Sequence, residues 1–317
     1  MSVTGAAPEA AEPILSVVLI VRHPNETPDA VLSALASETE DPAARAQTEI
    51  ILVDGRPDAV DPRGNLPGRL TRLLRPGLNM PLLKAEGVAV ARGKSVAFLE
   101  PKAVPVEGWL RAALAAVAAH PGAALGGAVT VGPCRAADRA AYAFEYSAFS
   151  HAALARGTGT DLPGNNMVLP LAALRDLCGD ILEAEGLNKP FCQARLTGGG
   201  VAIVMVPEMT VQIKTQYRLG SLLASRFRYA RCFGGTRAAL ARPSKRWLYR
   251  LGAPLVPALL LRRHLGTALR TAGTDRLGPE KLGAGGLAAL SALCLAWSAG
   301  EAAGSWAGPG KSCNRLY

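Results

Sequence analysis

The sequence predicts an α/β fold built around a doubly wound sheet. Near-continuous apolar runs at residues 15–21, 49–53 and 95–99 are typical of parallel strands that are buried on both faces. Segments with helical periodicity separate these runs, and this alternation indicates βαβ units. No GxGxxG motif follows the first run, which disfavours a dinucleotide-binding fold of the usual kind. With 317 residues and 49% hydrophobic content, the chain can bury one large α/β core and carry an appendage.

The elements between and after these strands are read from apolar spacing and from breakers. In the first half we predict helices at residues 28–39, 80–91 and 110–120, with a short strand at residues 69–74 as the weakest assignment. In the second half we predict a strand at 124–131, a helix or helix pair at 136–156, a polar loop at 157–166, helices at 169–177 and 183–196, and a strand at 201–206 that Pro207 closes.

Three regions are predicted along the chain. Residues 1–13 are rich in Ala, Glu and Pro and form a disordered leader, and residues 14–240 form the α/β domain. Residues 241–317 form a membrane-associated helical region, which follows a basic amphipathic helix at 217–231. A bilayer span requires about 20 residues. The apolar run at 251–261 is too short for this, and the run at 282–300 is borderline. Helices packed on the main domain are one alternative, and a hairpin that dips into one leaflet, or an interfacial pair of helices, is another that fits more easily than a single span.

Charge and cysteine content narrow the partners. The net charge of +10 fits nucleic acid, anionic lipid or phosphate-bearing substrates. Aromatic content is only 5% and no basic–aromatic interleave is present, so we expect no nucleic-acid partner. No two of the six cysteines lie at CxxC spacing, which disfavours a zinc site. Without a secretory signal at the start, we expect a reducing, cytoplasmic setting with free thiols.

A charged tripeptide, Glu100-Pro101-Lys102, follows the strand at residues 95–99. Proline donates no hydrogen bond to a ladder, so the strand is expected to end there. Open α/β sheets bind ligands outside the carboxyl ends of their strands, which makes this position a candidate site. A solvated strand-to-loop turn is the alternative, and this stretch alone favours the turn.

With these elements in order, residues 15–237 resemble family-2 glycosyltransferases of the GT-A fold. The resemblance rests on the motifs IILVDG, GVAVARGKSVAFLEP, VPVEGWL, PGNNMVLP and VMVPE, and on the basic helix RLGSLLASRFRYARCFGG that follows them. The tail phrase AWSAGEAAGSWAGPGK looks like that of membrane-associated members. The resemblance therefore implies a GT-A nucleotide-sugar-binding domain with an apolar helical tail.

The resemblance also implies roles for the donor-binding residues. Asp54, at the end of the second strand, would contact the nucleotide base or ribose, although a turn aspartate before glycine is the alternative. Glu100 and Lys102 would flank the diphosphate, with a solvated loop as the alternative. Asn165 and Asn166 would hydrogen-bond donor or acceptor, with an Asx-type turn as the alternative.

The catalytic carboxylates are less well matched. Glu185 is the candidate base and Glu183 is the second choice, while helix N-terminal acids are the alternative for both. The family's DxD motif falls on Glu100-Pro101-Lys102 and keeps only the first carboxylate, and the late histidine is replaced by Ile213-Lys214. A divalent Mg or Mn ion, with Glu100 as its possible ligand, is therefore predicted to be dispensable, because a lysine can neutralise the leaving diphosphate.

The resemblance, together with the basic and apolar tail, implies an enzyme that transfers a hexosyl group from a nucleotide-sugar donor to a lipid-linked or envelope glycan acceptor. Membrane lipids are the other expected partner, and the cytoplasmic face of the cell membrane is the expected location. The alternative is a catalytically inactive GT-A domain that binds a nucleotide sugar or serves as a scaffold.

Overall fold

The computed structural model of the chain describes residues 12–132, 134–154, 160–214, 216–271 and 282–315. The chain divides into two compact units. The described residues of Met1–Pro101, with Pro105–Gly126 and Gly164–Met209, form the first unit. Lys102–Val104 and the described residues of Gly127–Pro163 and Thr210–Tyr317 form the second. The predicted domain boundary at residue 240 stays a prediction, and most of the predicted leader lies outside the described residues.

The predicted α/β class is confirmed by a mixed sheet of eight strands in the order β3-β2-β1-β4-β7-β6-β8-β5. The strands are β1 (Leu15–Val21), β2 (Thr48–Asp54), β3 (Leu70–Leu74), β4 (Ser95–Leu99), β5 (Ala103–Pro105), β6 (Ala124–Val131), β7 (Asn166–Pro170) and β8 (Ile203–Ile213). Every residue of β1, β2 and β4 is buried, as expected of strands that are covered on both faces.

The first four strands of the sheet run in one direction. β1 pairs in parallel with β2 on one side and with β4 on the other, and β2 pairs in parallel with β3. β7 then pairs antiparallel to β4, with Leu99 opposite Asn166, and antiparallel to β6. The chain therefore moves outward from β1 to β3 and returns to β4, which places the reversal of strand order between β1 and β4.

The helices are α1 (Asp29–Glu38), α2 (Pro42–Gln47), α3 (Met80–Val90), α4 (Trp109–Ala119), α5 (Ala136–Glu145), α6 (His151–Leu154), α7 (Leu171–Ala184), α8 (Lys189–Gly198), α9 (Leu219–Leu240), α10 (Pro243–Gly252), α11 (Val256–Thr271) and α12 (Gly283–Ala307). Helices α1 to α8 lie between the strands along the chain, and α9 to α12 follow the last strand. Short 3-10 segments occur at Ser147–Phe149, Ala253–Leu255 and Gly310–Arg315.

Helix α3 is the element that matters most for the site described below. Asn79 caps its start, because the side-chain oxygen accepts a hydrogen bond from Leu82 N at 3.0 Å. Gly87 lets the helix lie directly on β1, since a Cβ at that position would come within 2.3 Å of the Val18 side chain. The helix axis is therefore fixed against the strand beside the reversal point.

Three predicted elements in the second half of the chain are wrong in their bounds. The helix expected at 169–177 begins only at Leu171, because residues 166–170 form β7. The helix expected at 183–196 is interrupted, since α7 ends at Ala184 and α8 begins at Lys189. β8 continues through Pro207 to Ile213 instead of closing there. Part of the loop predicted at 157–166 lies outside the described residues.

The second unit is held together by the pair α9 and α12. Glycines allow the two backbones to touch: a Cβ at Gly300 would come within 2.2 Å of the Phe227 carbonyl oxygen, and one at Gly304 within 2.2 Å of the Arg231 carbonyl oxygen. Glu301 is buried between them, ion-paired with Arg237. Leu290, Leu293 and Cys294 of α12 also join buried residues of α5 in one apolar cluster.

The expectation that the thiols are free is wrong for two of the six cysteines. Cys232 in α9 and Cys313 in the 3-10 segment after α12 form a disulfide across 81 residues of chain. Cys134, Cys178, Cys192 and Cys294, all among the described residues, are present as thiols. Burial raises the pKa of Cys192 to about 12 and that of Cys294 to about 11, so these thiols stay protonated at neutral pH.

Candidate active site

The carboxyl ends of β1, β2, β3 and β4 meet at one edge of the sheet in the first unit, because these strands are parallel. The order of strands reverses between β1 and β4. In open α/β sheets, ligands bind outside the carboxyl ends of the strands at such a reversal. The candidate site is therefore the edge where β1, β2 and β4 end and where the antiparallel β7 begins.

Asp54 lies at this edge and is fully buried, but its carboxylate is already bound by a neighbour. Its Oδ1 accepts hydrogen bonds from Arg56 N at 3.1 Å and Arg56 Nε at 2.9 Å, and its Oδ2 accepts one from Arg56 Nη2 at 2.7 Å. Arg72 Nη2 lies 3.6 Å from the same Oδ2. The remaining Arg56 nitrogen, Nη1, donates to the Glu26 carbonyl at 2.7 Å and so connects the loops after β1 and β2.

The electrostatics of this pair favour the charged carboxylate. Burial by itself raises the pKa of Asp54, but the hydrogen bonds and charge of Arg56, with the charge of Arg72, outweigh burial and lower it. The hydrogen bonds from Arg56 to Asp54 likewise raise the pKa of that guanidinium. A bidentate pair of this kind stabilises the fold. The predicted contact of Asp54 with a nucleotide stays a prediction.

Glu100 lies where β4 ends, and a buried lysine faces it. Lys84 Nζ lies 3.6 Å from Glu100 Oε1 and donates to the Gly164 carbonyl at 2.9 Å. Lys84 is only 6% exposed. The sequence reasoning missed Lys84, although α3 carries a signal: position 84 lies among the buried Met80, Leu83, Gly87 and Val88. A lysine within an apolar helical stripe calls for a buried partner.

Asn165 and Asn166 are adjacent and buried, but their amides differ in hydrogen bonding. Asn166 Oδ1 accepts from Trp109 Nε1 at 2.8 Å, and Asn166 Nδ2 donates to the Met209 carbonyl at 2.7 Å. Within the part of the chain that the structure describes, neither amide atom of Asn165 has a hydrogen-bond partner. The register that pairs Leu99 with Asn166 places Asn165 one residue further, on the side of Glu100.

The predicted base, Glu185, is exposed and directly follows the last residue of α7, and Glu183 is exposed in the last turn of that helix. Neither residue is at a helix N-terminus, so that alternative is wrong. Gly186 has φ +76°, and a Cβ there would come within 2.3 Å of the Pro81 carbonyl carbon. Leu187 N donates to the Pro81 carbonyl at 2.8 Å. The chain after Glu185 is therefore fixed to the first turn of α3, the helix that carries Lys84.

Lys102 belongs to the second unit, where its carbonyl accepts a hydrogen bond from Lys214 N at 2.9 Å. The cation that the structure places against Glu100 is Lys84, on the neighbouring helix. The structure thus brings Glu100, Asn165 and the newly found Lys84 together in the first unit. Asp54 lies at the same sheet edge, in a separate ion pair with Arg56.

The residues at this edge do not fit a divalent metal ion. Glu100 is the carboxylate that follows β4, and the Lys84 ammonium lies 3.6 Å from its Oε1. Magnesium and manganese prefer several oxygen ligands, and a lysine at that distance opposes a second positive charge. Among the described residues, no three His, Cys, Asp or Glu side chains gather as a metal site. The predicted dispensability of metal stays a prediction.

Comparison with known proteins adds little to this geometry. No protein-family model matches the chain, and no curated protein sequence matches it. Among solved structures, the chain is similar to a mannosyltransferase from Pyrobaculum calidifontis, solved with GDP-mannose and Mn²⁺. The similarity covers 92% of this chain and 89% of that chain, at 15% identity and a TM-score of 0.49. Since both values are low, the proposals below are drawn from the residues of this chain.

Proposed function

We propose that the chain is a glycosyltransferase that moves a sugar from a nucleotide-sugar donor to an acceptor hydroxyl. The observation that carries the proposal is the amide of Asn165, buried and unpartnered within the described residues, beside Glu100 and Lys84. An unsatisfied buried polar group costs about 1–3 kcal/mol, so its persistence at a ligand-binding edge of the sheet calls for a polar ligand. A sugar hydroxyl or a phosphate oxygen can supply the missing hydrogen bonds.

The proposed reaction assigns a task to each group. The acceptor oxygen forms a bond to the anomeric carbon of the donor, and the bond from that carbon to the diphosphate oxygen breaks. The electron pair leaves with the diphosphate, and the acceptor proton passes to a carboxylate, for which Glu185 is the candidate. The ammonium of Lys84, with Lys102 as the second candidate, neutralises the charge that develops on the leaving diphosphate.

Lys84 suits this task because its ammonium has three donors. One donor bonds the Gly164 carbonyl at 2.9 Å, which fixes the side chain. The distance of 3.6 Å to Glu100 is longer than an ordinary charged hydrogen bond, so a phosphate oxygen can compete for this cation. Asp54 and Arg56 hold the adjacent strand end in place, which supports the donor site from the side of β2.

The proposal also covers the type of glycosyl transfer and the location of the enzyme in the cell. We extend the proposal to hexosyl transfer of the family-2 type, onto a lipid-linked or envelope glycan acceptor at the cytoplasmic face of the cell membrane. The motifs that resemble this family support the first part. The basic and apolar surface of the second unit supports the second, since an acceptor carried by lipid is reached most easily by an enzyme that lies on the membrane.

A catalytically inactive nucleotide-sugar-binding or scaffold protein is the second candidate. One specific observation favours it: the carboxylates of Asp54 and Glu100 are each neutralised by a cation of the protein itself. Such a site can bind a donor without turning it over. The two candidates therefore share the binding step and differ in the transfer step.

The decisive experiment separates binding from transfer. The purified protein is screened by thermal shift against a panel of nucleotide sugars, and product formation is followed by mass spectrometry with lipid-linked and glycan acceptors. A donor that raises the melting temperature identifies the ligand by mass action. Glu185→Gln should leave that shift unchanged and lower turnover by about 10²–10⁴-fold, the usual contribution of a general base.

Asp176→Asn, at an exposed carboxylate of the same helix, is the matched control and should keep turnover near that of the wild type. Glu183→Gln tests the second candidate base, and a loss in this variant with Glu185→Gln still active would move the role to Glu183. A donor that binds without any turnover would support the inactive alternative. The absence of any nucleotide-sugar binding would contradict both candidates.

A further inference from the structure

The second unit exposes a row of large apolar side chains on one helical path. α10 (Pro243–Gly252), the 3-10 segment Ala253–Leu255 and α11 (Val256–Thr271) follow one another, and Gly252, Ala253 and Val256 all keep right-handed helical angles. Leucines at 248, 251, 255 and 259 are three to four residues apart, and Trp247 precedes Leu251 by four, which places them on one side of this path. We call this row the α10–α11 face; its members are Trp247, Leu248, Leu251, Leu255 and Leu259, each between 53% and 70% exposed.

Along the chain, the charged residues on either side of the α10–α11 face are all lysines or arginines. The chain contains no Asp or Glu between Glu208 and Asp275, so every formal charge of α10 and α11 is a lysine or arginine. Exposed basic residues lie at both ends of the face, namely Arg242, Lys245 and Arg246 before it and Arg262 and Arg263 after it. Burial lowers the pKa of His264 to about 4, and so this residue adds no charge at neutral pH.

A tryptophan pair borders the face where α10 meets the end of α12. Trp247 is 53% exposed and Trp306 is 54% exposed, and their rings pack edge-on with centroids 6.1 Å apart. The Arg250 guanidinium lies 5.4 Å from the Trp247 centroid and 5.0 Å from the Trp306 centroid, and its Nε donates to the Ser305 carbonyl at 3.0 Å. Tryptophan and arginine in this arrangement are typical of the boundary between lipid headgroups and acyl chains.

Helix α12 passes the length and composition test for a bilayer span, and is the one described helix that does so. Its packing opposes that role. Glycines bring its backbone against that of α9, and Glu301 is 8% exposed, ion-paired with Arg237 and accepting from Trp297 Nε1 at 2.9 Å. A spanning α12 would have to leave α9, a helix with several arginines, and carry Glu301 into hydrocarbon without its partner.

We propose that the α10–α11 face lies on the surface of an anionic lipid bilayer, with its leucines and Trp247 in the headgroup boundary, and that α12 stays in the core of the second unit. An interfacial amphipathic helix has this composition: an apolar stripe of Leu and Trp and a polar side rich in Lys and Arg. Lysines and arginines beside a membrane are attracted by anionic headgroups, and added salt weakens that attraction. The inference does not depend on glycosyl transfer.

The test is vesicle flotation with the full-length protein and no nucleotide sugar. The wild type should float with vesicles that contain phosphatidylglycerol, bind phosphatidylcholine vesicles at least about tenfold less, and dissociate in about 0.5 M salt. The double variant Leu251→Asn/Leu255→Asn should lose at least about tenfold in affinity for the anionic vesicles. Both side chains are exposed, and its melting temperature should therefore match that of the wild type.

Val60→Asn is the matched control, because Val60 is also a large apolar residue, 61% exposed, but belongs to the first unit, and this variant should bind vesicles as the wild type does. Wild-type protein that ignores anionic vesicles, or a double variant that binds them normally, would overturn the proposal. So would resistance to extraction at high salt and alkaline pH, which would indicate a spanning α12. A wild-type dimer that the double variant converts to monomer, without vesicle binding, would identify a second copy as the occupant and also overturn it.

Discussion

The two ends of the candidate site treat their buried polar groups in opposite ways. Where β2 ends, the two carboxylate oxygens of Asp54 accept three hydrogen bonds from Arg56. Where β4 ends and β7 begins, Glu100 has a lysine at 3.6 Å and Asn165 has no partner among the described residues. Groups that the fold satisfies by itself contribute to stability, whereas unsatisfied groups are available to a ligand. We therefore assign structure to the β2 end and donor recognition to the β4–β7 end.

The largest expected effect is on stability at the β2 end. Asp54→Ala removes the partner of a buried arginine, and breaking a buried ion pair in this way should lower the free energy of unfolding by about 3–5 kcal/mol, measured by urea denaturation. Asp61→Ala is the matched control, because Asp61 also pairs with an arginine but its side chain is 91% exposed. This control should cost less than about 1 kcal/mol. Equal stability of the two variants would contradict the structural assignment of Asp54.

The pH dependence sharpens the same prediction. Burial raises the pKa of Asp54, but Arg56 and Arg72 outweigh burial, so the folded-state pKa lies below that of the unfolded chain. The stability that Asp54 contributes is therefore fully present above the unfolded value of about 3.9, and is lost as pH falls through the lower folded value. The difference in unfolding free energy between wild type and Asp54→Ala should stay constant from neutral pH to about pH 5 and shrink below about pH 4.

The next effect is on turnover at the β4–β7 end. Lys84→Gln keeps a donor for the Gly164 carbonyl but removes the charge, and turnover should fall by about 10²–10³-fold, the usual cost of losing one group that stabilises developing charge. Lys94→Gln, at an exposed lysine of the same unit, is the control and should leave turnover unchanged. Excess EDTA should not reduce wild-type turnover, because the site offers a cation where a metal would require carboxylates.

Lys102→Ala tests whether the second lysine shares this task. A collapse of turnover in Lys102→Ala with Lys84→Gln still active would move the neutralising role to Lys102. Activity that EDTA abolishes and manganese restores would show that Glu100 is a metal ligand after all.

The strands at the site could be predicted from the sequence because each is buried on both faces. Such strands appear as continuous apolar runs, and β1, β2 and β4 therefore appear within one or two residues of their predicted bounds. β7 was missed for the same reason. Its apolar residues continue into those of α7 without a polar break, and Pro170 both ends the strand and precedes the helix. A run of that kind does not show where the period changes from strand to helix.

The positions of Asp54 and Glu100 at one sheet edge could be predicted from strand order. The position of Asn165 could not, because it depends on β7, and neither could the partners of these residues. Arg56 is only two residues from Asp54 along the chain. In contrast, the cation beside Glu100 is Lys84 of helix α3, and Lys84 also bonds Gly164, which is 80 residues away along the chain. Contacts of this range depend on how α3 lies on β1, which the close approach at Gly87 decides. The Cys232–Cys313 bond is of the same kind, because spacing alone does not give connectivity.

The smallest expected effect on stability distinguishes the two adjacent asparagines. It is the sharpest test of the difference between polar groups that the fold satisfies and those left for a ligand. Asn166→Ala leaves the Trp109 indole N–H and the Met209 carbonyl unpaired in the core, and each should cost about 1–3 kcal/mol of unfolding free energy. Asn165→Ala removes an amide that has no partner within the described residues, so the unfolding free energy of the free protein should lie within about 0.5 kcal/mol of the wild-type value, or slightly above it.

The nucleotide-sugar donor that stabilises the wild type should in contrast lose most of its thermal shift with Asn165→Ala. Because the substitution leaves the free protein intact, this loss can only come from the bound state. If Asn165→Ala destabilised the free protein as much as Asn166→Ala and left the donor shift unchanged, the unpartnered amide would be a feature of folding, and donor recognition would have to be sought elsewhere along the sheet edge.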